Sequence, residues 1–194
     1  MLTEIKFHGR GGQGAVTSAE MLALAAIGEG KYAQGFPTFG PERRGAPVMS
    51  FVRIDDEAPI RTRAEILRAD VVVVMDFTLL RAINAAGGVK KGGIIIVNTK
   101  RSARELHEGF GLPLPLATVD ASTIALKFLG VNIVNTTMLG SILKVRPLVD
   151  IESLEDPLKH RFADKWEKNY LAAKKAYEET LITVELSAEP AGIK

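Results

Sequence analysis

The sequence predicts an α/β fold: a Rossmann-like, mostly parallel sheet with an added antiparallel ribbon, followed by a C-terminal helical tail. Three observations predict it. A short apolar-rich run around Ile5 and Phe7 feeds a glycine turn and then a helix-spaced stretch over residues 15–27. Two continuous β-branched runs, residues 69–76 and 92–99, have the composition of strands covered on both faces. Finally, Trp166, Tyr170, Ala173 and Tyr177 recur at helical spacing, as a packing stripe does. The expected organisation is an α/β domain over 1–150 and a helical extension over 151–194, packing on that domain or on a partner.

Composition narrows the function classes. The 194 residues suffice for one sizeable domain with an appendage, and 46% hydrophobic with 25% charged residues is ordinary for a soluble globule. Lys and Arg total 25 against 23 for Asp and Glu, with no long run of one sign, which argues against nucleic acid as a partner. The chain has no cysteine, which excludes disulfides, thiolate metal sites and cysteine-ligated iron–sulfur clusters. No apolar run approaches the roughly 18 residues of a membrane span, and no basic-then-apolar leader opens the chain, so no membrane association and a cytoplasmic location are expected.

Gly9, Gly11 and Gly14 satisfy G-x-G-x-x-G where a strand passes into a helix, with Gly12 and Gln13 inside the turn and Gly28 and Gly30 closing the helix. Residues without a Cβ let backbone approach an anion, which the positive end of the helix attracts. These five turn residues are candidates for holding a phosphate-bearing ligand; equally, the glycines serve a tight turn and close helix–strand packing. A dinucleotide site also wants an acid about 20 residues on, at the end of the second strand. Here residues 31–36 run into Pro37 with none, which argues against NAD or FAD.

Residues 37–47 form a loop with three prolines and two glycines. It reads as a solvated excursion or as a docking loop, with Phe36 and Phe39 as apolar anchors and Glu42, Arg43 and Arg44 as charged contacts. Residues 48–54 alternate as a half-buried strand, and 55–58 offers a hairpin connection to a second strand at 59–62, which together would make the ribbon. Arg53, Arg61 and Arg63 read as solvated surface. Thr78 can cap a helix carrying Leu79, Leu80, Ala82 and Ile83. Asp76, Asn98 and Thr99 fall at the carboxyl ends of strands, where open α/β sheets bind ligands, although Asp76 can equally cap the next helix. Further on, Ser102 starts a short helix, 116–121 reads as a strand, and Asn135 or Thr136 caps a helix carrying Met138, Leu139, Ile142 and Leu143. Asp150 can cap a helix at Ile151, and 187–194 is expected to fray. His8, His107 and His160 show no metal spacing, no serine sits in a nucleophile elbow, and no carboxylate pair shares an element. No catalytic residue and no metal ligand is assigned.

The glycine turn Gly9-Arg10-Gly11-Gly12-Gln13-Gly14, the loop over residues 34–47 with the strand ending Val52-Arg53-Ile54, and Asn135-Thr136-Thr137-Met138-Leu139-Gly140 resemble the gamma subunit of the 2-oxoacid:ferredoxin oxidoreductases, the pyruvate enzyme most closely. The likeness spans about residues 4–180. It implies a complex with alpha, beta and delta subunits that oxidatively decarboxylates pyruvate with coenzyme A to acetyl-CoA and CO2 and reduces ferredoxin. Thiamine diphosphate and iron–sulfur clusters would lie on other chains; this chain would bind no cofactor tightly and would help to hold the substrate coenzyme A. Other acids, namely 2-oxoisovalerate, 2-oxoglutarate or an indolepyruvate, and a free-standing nucleotide-binding protein remain alternatives.

Overall fold

A computed structural model describes residues 1–38 and 45–186. Strand β1 (Thr3–Arg10) leads through the glycine turn into α1 (Ala15–Gly28), and β2 (Tyr32–Pro37) follows. Next come β3 (Pro47–Asp55), β4 (Ala69–Val74), β5 (Val89–Asn98), α2 (Ala103–Phe110) and β6 (Leu116–Val119). The chain finishes with α3 (Ala121–Leu129), α4 (Asn135–Val145), α5 (Glu155–Phe162), α6 (Trp166–Glu179) and β7 (Leu181–Thr183).

The strands make one sheet in the order β2-β3-β1-β4-β5-β6-β7. Its centre, β1 to β6, is parallel, while β3 runs against both β1 and β2, and β7 against β6. Because β2 therefore runs with β1, only β3 and β7 oppose the common direction. The expected α/β class with an antiparallel ribbon at one edge holds.

The β-branched strands are covered on both faces, as their composition requires. Val71 and Val73 join Ile5, Phe7, Ile94 and Ile96 under α1, α3, α4 and α6. Val72 and Val74 point the other way, to Phe51, Ile95, Val97 and Leu106 of α2. The helices end where their caps dictate. Ser102 and Glu105 form a reciprocal capping box on α2, Asp120 accepts from the Thr123 N–H to start α3, and Gly111 and Gly130 close these helices in left-handed backbone.

The ribbon uses different strands from those the sequence suggested. Residues 59–62 form no strand; β3 pairs instead with β2 on one side and β1 on the other. With both edges of β3 occupied, the following segment is left out of the sheet, held by Gln34 Nε2 donating to the Ile60 carbonyl and by buried Ile66. The same insertion corrects Arg53, which is 4% exposed rather than solvated. Its Nε lies 2.8 Å from Glu4 and its guanidinium covers the Phe36 ring. The helix expected after Thr78 is a 3₁₀ turn, Phe77–Arg81, capped by Asp76, not Thr78. Asp150 precedes a 3₁₀ turn, Ile151–Leu154, without a capping bond from its side chain.

Beyond residue 150 the aromatic stripe packs as expected. Ala172, Ala173 and Ala176 of α6 are fully buried in the cluster shared with α1 and α4, and Trp166, Tyr170 and Tyr177 flank it. Helices α4 and α6 meet backbone to backbone at Gly140, where an added Cβ would lie 1.8 Å from the Ala173 carbonyl oxygen. Since neither helix can withdraw without opening the core, Gly140→Ala should cost about 3 kcal/mol and lower the melting temperature by roughly 10 °C. A thermal scan of the purified chain checks this; an unmoved midpoint would contradict the contact.

Candidate functional site

The glycine turn sits at the carboxyl end of β1, next to the corresponding ends of β4 and β5. It is held partly by its own atoms. Gln13 Oε1 accepts from the Arg10 N–H at 2.7 Å, and the Gln13 N–H returns to the Arg10 carbonyl. Gly11 exchanges backbone bonds with Gly45 and Ala46 across the neighbouring strand end. Gly12 and Gly14 take positive φ, 93° and 79°, which side-chain-bearing residues rarely adopt. Gly14 also has no room for a Cβ, which would come within 2.6 Å of the Asn135 amide. Gly9 meets Met75 and Ala15 at packing distance, so it serves the strand–helix contact. The N–H groups of Gly12, Gly14, Ala15, Val16 and Thr17 have no acceptor among the described residues, and they lie at the positive end of α1.

Arg10 locks this turn to β4. Its Nε donates to Asp76 at 2.8 Å, its Nη2 to Thr78 Oγ1 and its Nη1 to the Gly45 carbonyl. Burial raises the Asp76 carboxyl, but hydrogen bonds from Thr78 and Arg10 together with the guanidinium charge outweigh it and hold the group below its ordinary value. Asp76 thus stays ionised, both as a 3₁₀ cap and as the anchor for Arg10. Asn98 is 7% exposed and bonds to the Met75 carbonyl and to Ser122, joining β4, β5 and α3. Between these groups opens a cavity of about 410 Å³ bordered by Gln13, Asp76, Asn98, Arg101, Asp120 and Ser122.

The five glycine-turn residues thus lie together at the carboxyl edge of the sheet, with Asp76 and Asn98 beside them. Phe36 does not join them. It is 5% exposed and stacks on Phe51 at 5.4 Å inside the second core layer, so its ring is packing and not a docking anchor. The alternation of β2 against β3 turns it inward. Phe39, Glu42, Arg43 and Arg44 lie outside the described residues. Sequence reasoning did not single out Arg10, whose role depends on an aspartate 66 residues further along the chain. Among the described residues no cluster of three His, Cys, Asp or Glu could hold a metal.

His8, two residues before the turn strand ends, is 7% exposed. Burial first, then the charge of Lys6, pushes its imidazole down from 6.5 to about 4. The unfolded chain takes up a proton below 6.5 while the folded chain does not, so this contribution is full above that pH and is lost as pH falls toward 4. Between 6.5 and about 5 the loss is about 2 kcal/mol. Denaturant midpoints measured across this window should fall with acidity, and His8→Gln should flatten the slope; equal slopes would remove His8 from the account.

The sequence matches the pyruvate ferredoxin/flavodoxin oxidoreductase family over residues 4–179. The chain belongs to this family. Among relatives, it is 51% identical to the pyruvate/ketoisovalerate oxidoreductases common subunit gamma of Thermococcus litoralis, covering 93% of this chain and 98% of that protein. It is 48% identical to pyruvate synthase subunit PorC of Methanocaldococcus jannaschii, again over 93% and 98%. A crystal structure of pyruvate oxidoreductase subunit PORC from Thermotoga maritima is 38% identical and matches the fold with a TM-score of 0.83, covering 94% of this chain and 98% of that one. The resemblance carried by the two glycine-containing motifs and the loop between them is therefore a family membership, and its sheet is the family's sheet.

Proposed function

We infer that this chain is the non-catalytic gamma subunit of a pyruvate:ferredoxin oxidoreductase. The observation that carries this is end-to-end similarity to subunits named gamma and PorC, at about half identity. The complex would convert pyruvate and coenzyme A to acetyl-CoA and CO2 and pass the electrons to ferredoxin. Thiamine diphosphate and the iron–sulfur clusters would be held by the partner alpha, beta and delta subunits, consistent with a sequence that has no cysteine. A second reading is favoured by the Thermococcus relative's name: one gamma chain serving both a pyruvate and a 2-ketoisovalerate enzyme. Substrate choice would then reside in the other chains. None of the helices in the described residues is long and apolar enough to cross a membrane; we place the complex in the cytoplasm.

Tagging the chain in its own cells and assaying the co-purified material tests this. The expected result is recovery of alpha, beta and delta chains with viologen or ferredoxin reduction dependent on coenzyme A and on pyruvate, or on pyruvate and 2-ketoisovalerate. A chain recovered alone and inactive would overturn it.

Within the complex, the turn formed by Gly9, Gly11, Gly12, Gln13 and Gly14 is proposed to present the open N–H groups of Gly12, Gly14 and the α1 N-terminus to a phosphate of coenzyme A. Phe39, Glu42, Arg43 and Arg44 are proposed to dock onto alpha or beta. Segment 151–194 would pack on the domain through α6 and leave exposed Leu181 and Val184 to a partner. Gly12→Asn keeps a residue tolerant of left-handed backbone; it should raise the KM for coenzyme A in an assembled complex, and an unchanged KM would remove the ligand role. Arg43→Glu combined with Arg44→Glu should block assembly, and normal assembly would remove the docking role.

A further inference from the structure

A second groove opens beside the site, between the Phe77–Arg81 turn and α2. It encloses about 230 Å³ and is lined by Phe77, Thr78, Arg81, Arg101 and Phe110. The turn follows β4 and Arg101 follows β5, and because these strands run parallel side by side, both connections leave the same edge of the sheet. Arg101 and Phe77 also border the 410 Å³ cavity, so the two spaces adjoin. The Arg101 guanidinium lies 5.2 Å from the centroid of the Phe77 ring and 6.0 Å from that of Phe110. A guanidinium carries its five N–H donors in its own plane, so contact through a face leaves the donors at its edge free.

Elsewhere in this protein the same arrangement is completed by an acid. Arg53 lies 5.4 Å from the Phe36 centroid, and its Nε donates to Glu4 at 2.8 Å. Arg101 has the ring contacts without the carboxylate. Arg81, which lines the same groove, also has no ion-pair partner among the described residues, and no acid among them lines the groove. The acids nearby are engaged elsewhere: Asp76 holds Arg10, Asp120 faces Lys100, and Glu108 faces Arg104. Glu105 accepts from the Ser102 N–H and hydroxyl, and these bonds first, with the Arg101 charge a lesser cause, hold its carboxyl below its ordinary value. Two arginines lining one groove repel each other unless an anion joins them. The groove is smaller than the roughly 300–1,000 Å³ of small-molecule sites, which suits one inserted side chain better than a cofactor. Arginine and aromatic side chains around such a pocket carry much of the energy of protein–protein contacts.

We propose that this groove docks an acidic segment of a partner subunit, whose Asp or Glu carboxylate meets Arg101 and Arg81 while an adjacent apolar side chain enters between Phe77 and Phe110. The inference rests on the reading of the chain as one subunit of a complex. To that reading it adds a surface outside both the glycine turn and the 37–47 loop. Because Arg101 and Phe77 border the 410 Å³ cavity as well, the docked segment closes one side of that cavity. Arg101 is held by its rings before the partner arrives, so pairing costs little further ordering.

The test uses the complex recovered through a tag on this chain. Arg81→Glu combined with Arg101→Glu changes two exposed positions, and recovery of at least one other subunit should fall about tenfold or more. A complex carrying Arg101→Lys is then treated with a carbodiimide, which joins an amine to a carboxylate in contact with it and adds no spacer. The expected product, read by mass spectrometry, links position 101 to an Asp or Glu of another subunit, and the Lys100–Asp120 pair at 3.6 Å is the internal control for the reaction. Reduced recovery together with that link supports the docking. Undiminished recovery overturns it, and so do links from position 101 that stay within this chain or do not form; the cross-link, made in the conservative variant, decides the case if the charge reversal unfolds the chain. Undiminished recovery with an altered KM for any substrate would assign the two arginines to a small anion and likewise overturn the docking. An unaltered chain that recovers no other subunit refutes the subunit reading itself, whereas recovery equal in the unaltered chain and the double variant refutes the docking alone.

Discussion

The contact on which the structure turns is the one between Gly14 and Asn135. The amide of Asn135 occupies the place where a Cβ at position 14 would be, so the first residues of α1 and α4 meet without a side chain between them. Ser18 reinforces the junction by donating to the Asn135 carbonyl at 3.0 Å. Two motifs more than a hundred residues apart are thereby one structural unit. The same α4 then reaches α6 through Gly140, and its Thr136 hydroxyl donates to Asn169 of α6. Helix α4 is buried from Asn135 to Leu143 because it is the middle layer of this stack, and its small residues are what close approach on two sides demands.

That arrangement divides the donors of the glycine turn into two groups. Those of Arg10, Gly11 and Gln13 are consumed inside the protein, where they fix the turn against β3 and the strand ends. Those from Gly12 and the first turn of α1 are left outward. A turn that was only a packing device would have little reason to be so firmly braced by Arg10 and Asp76 and yet leave its helix terminus uncapped. A turn braced in this way would bind an anion without a further ordering cost, which is the usual contribution of preorganisation to affinity.

Much of the fold was legible because both strand types and helix caps act locally. The run Val71-Val72-Val73-Val74 is buried on both faces whatever lies beside it, and Ser102 with Glu105 makes its capping box from residues three apart. What was not legible depended on partners far away in sequence. Residues 59–62 looked like a hairpin arm, but β1 and β2 already held both edges of β3. Arg53 and Phe36 looked exposed for the same reason, since an alternating strand reads as half-solvated until a second layer covers it. At the site, Asp76 and Asn98 could be found from their strand ends. Arg10 could not, because a lone arginine in a turn gives no sign of the aspartate 66 residues on that will hold it.

The cations of α5 and α6 illustrate the limit most clearly. In sequence Arg161, Lys165 and Lys168 are part of an evenly charged stretch with Glu155, Asp156, Asp164 and Glu167, and a solvated helix face is the natural reading. Packing changes their meaning. The kink at Ala163 and the seating of α6 on α4 bring these three to one space beside the α1 terminus, which the neighbouring acids do not line. Net charge along the chain stays near balance while local charge at the turn does not.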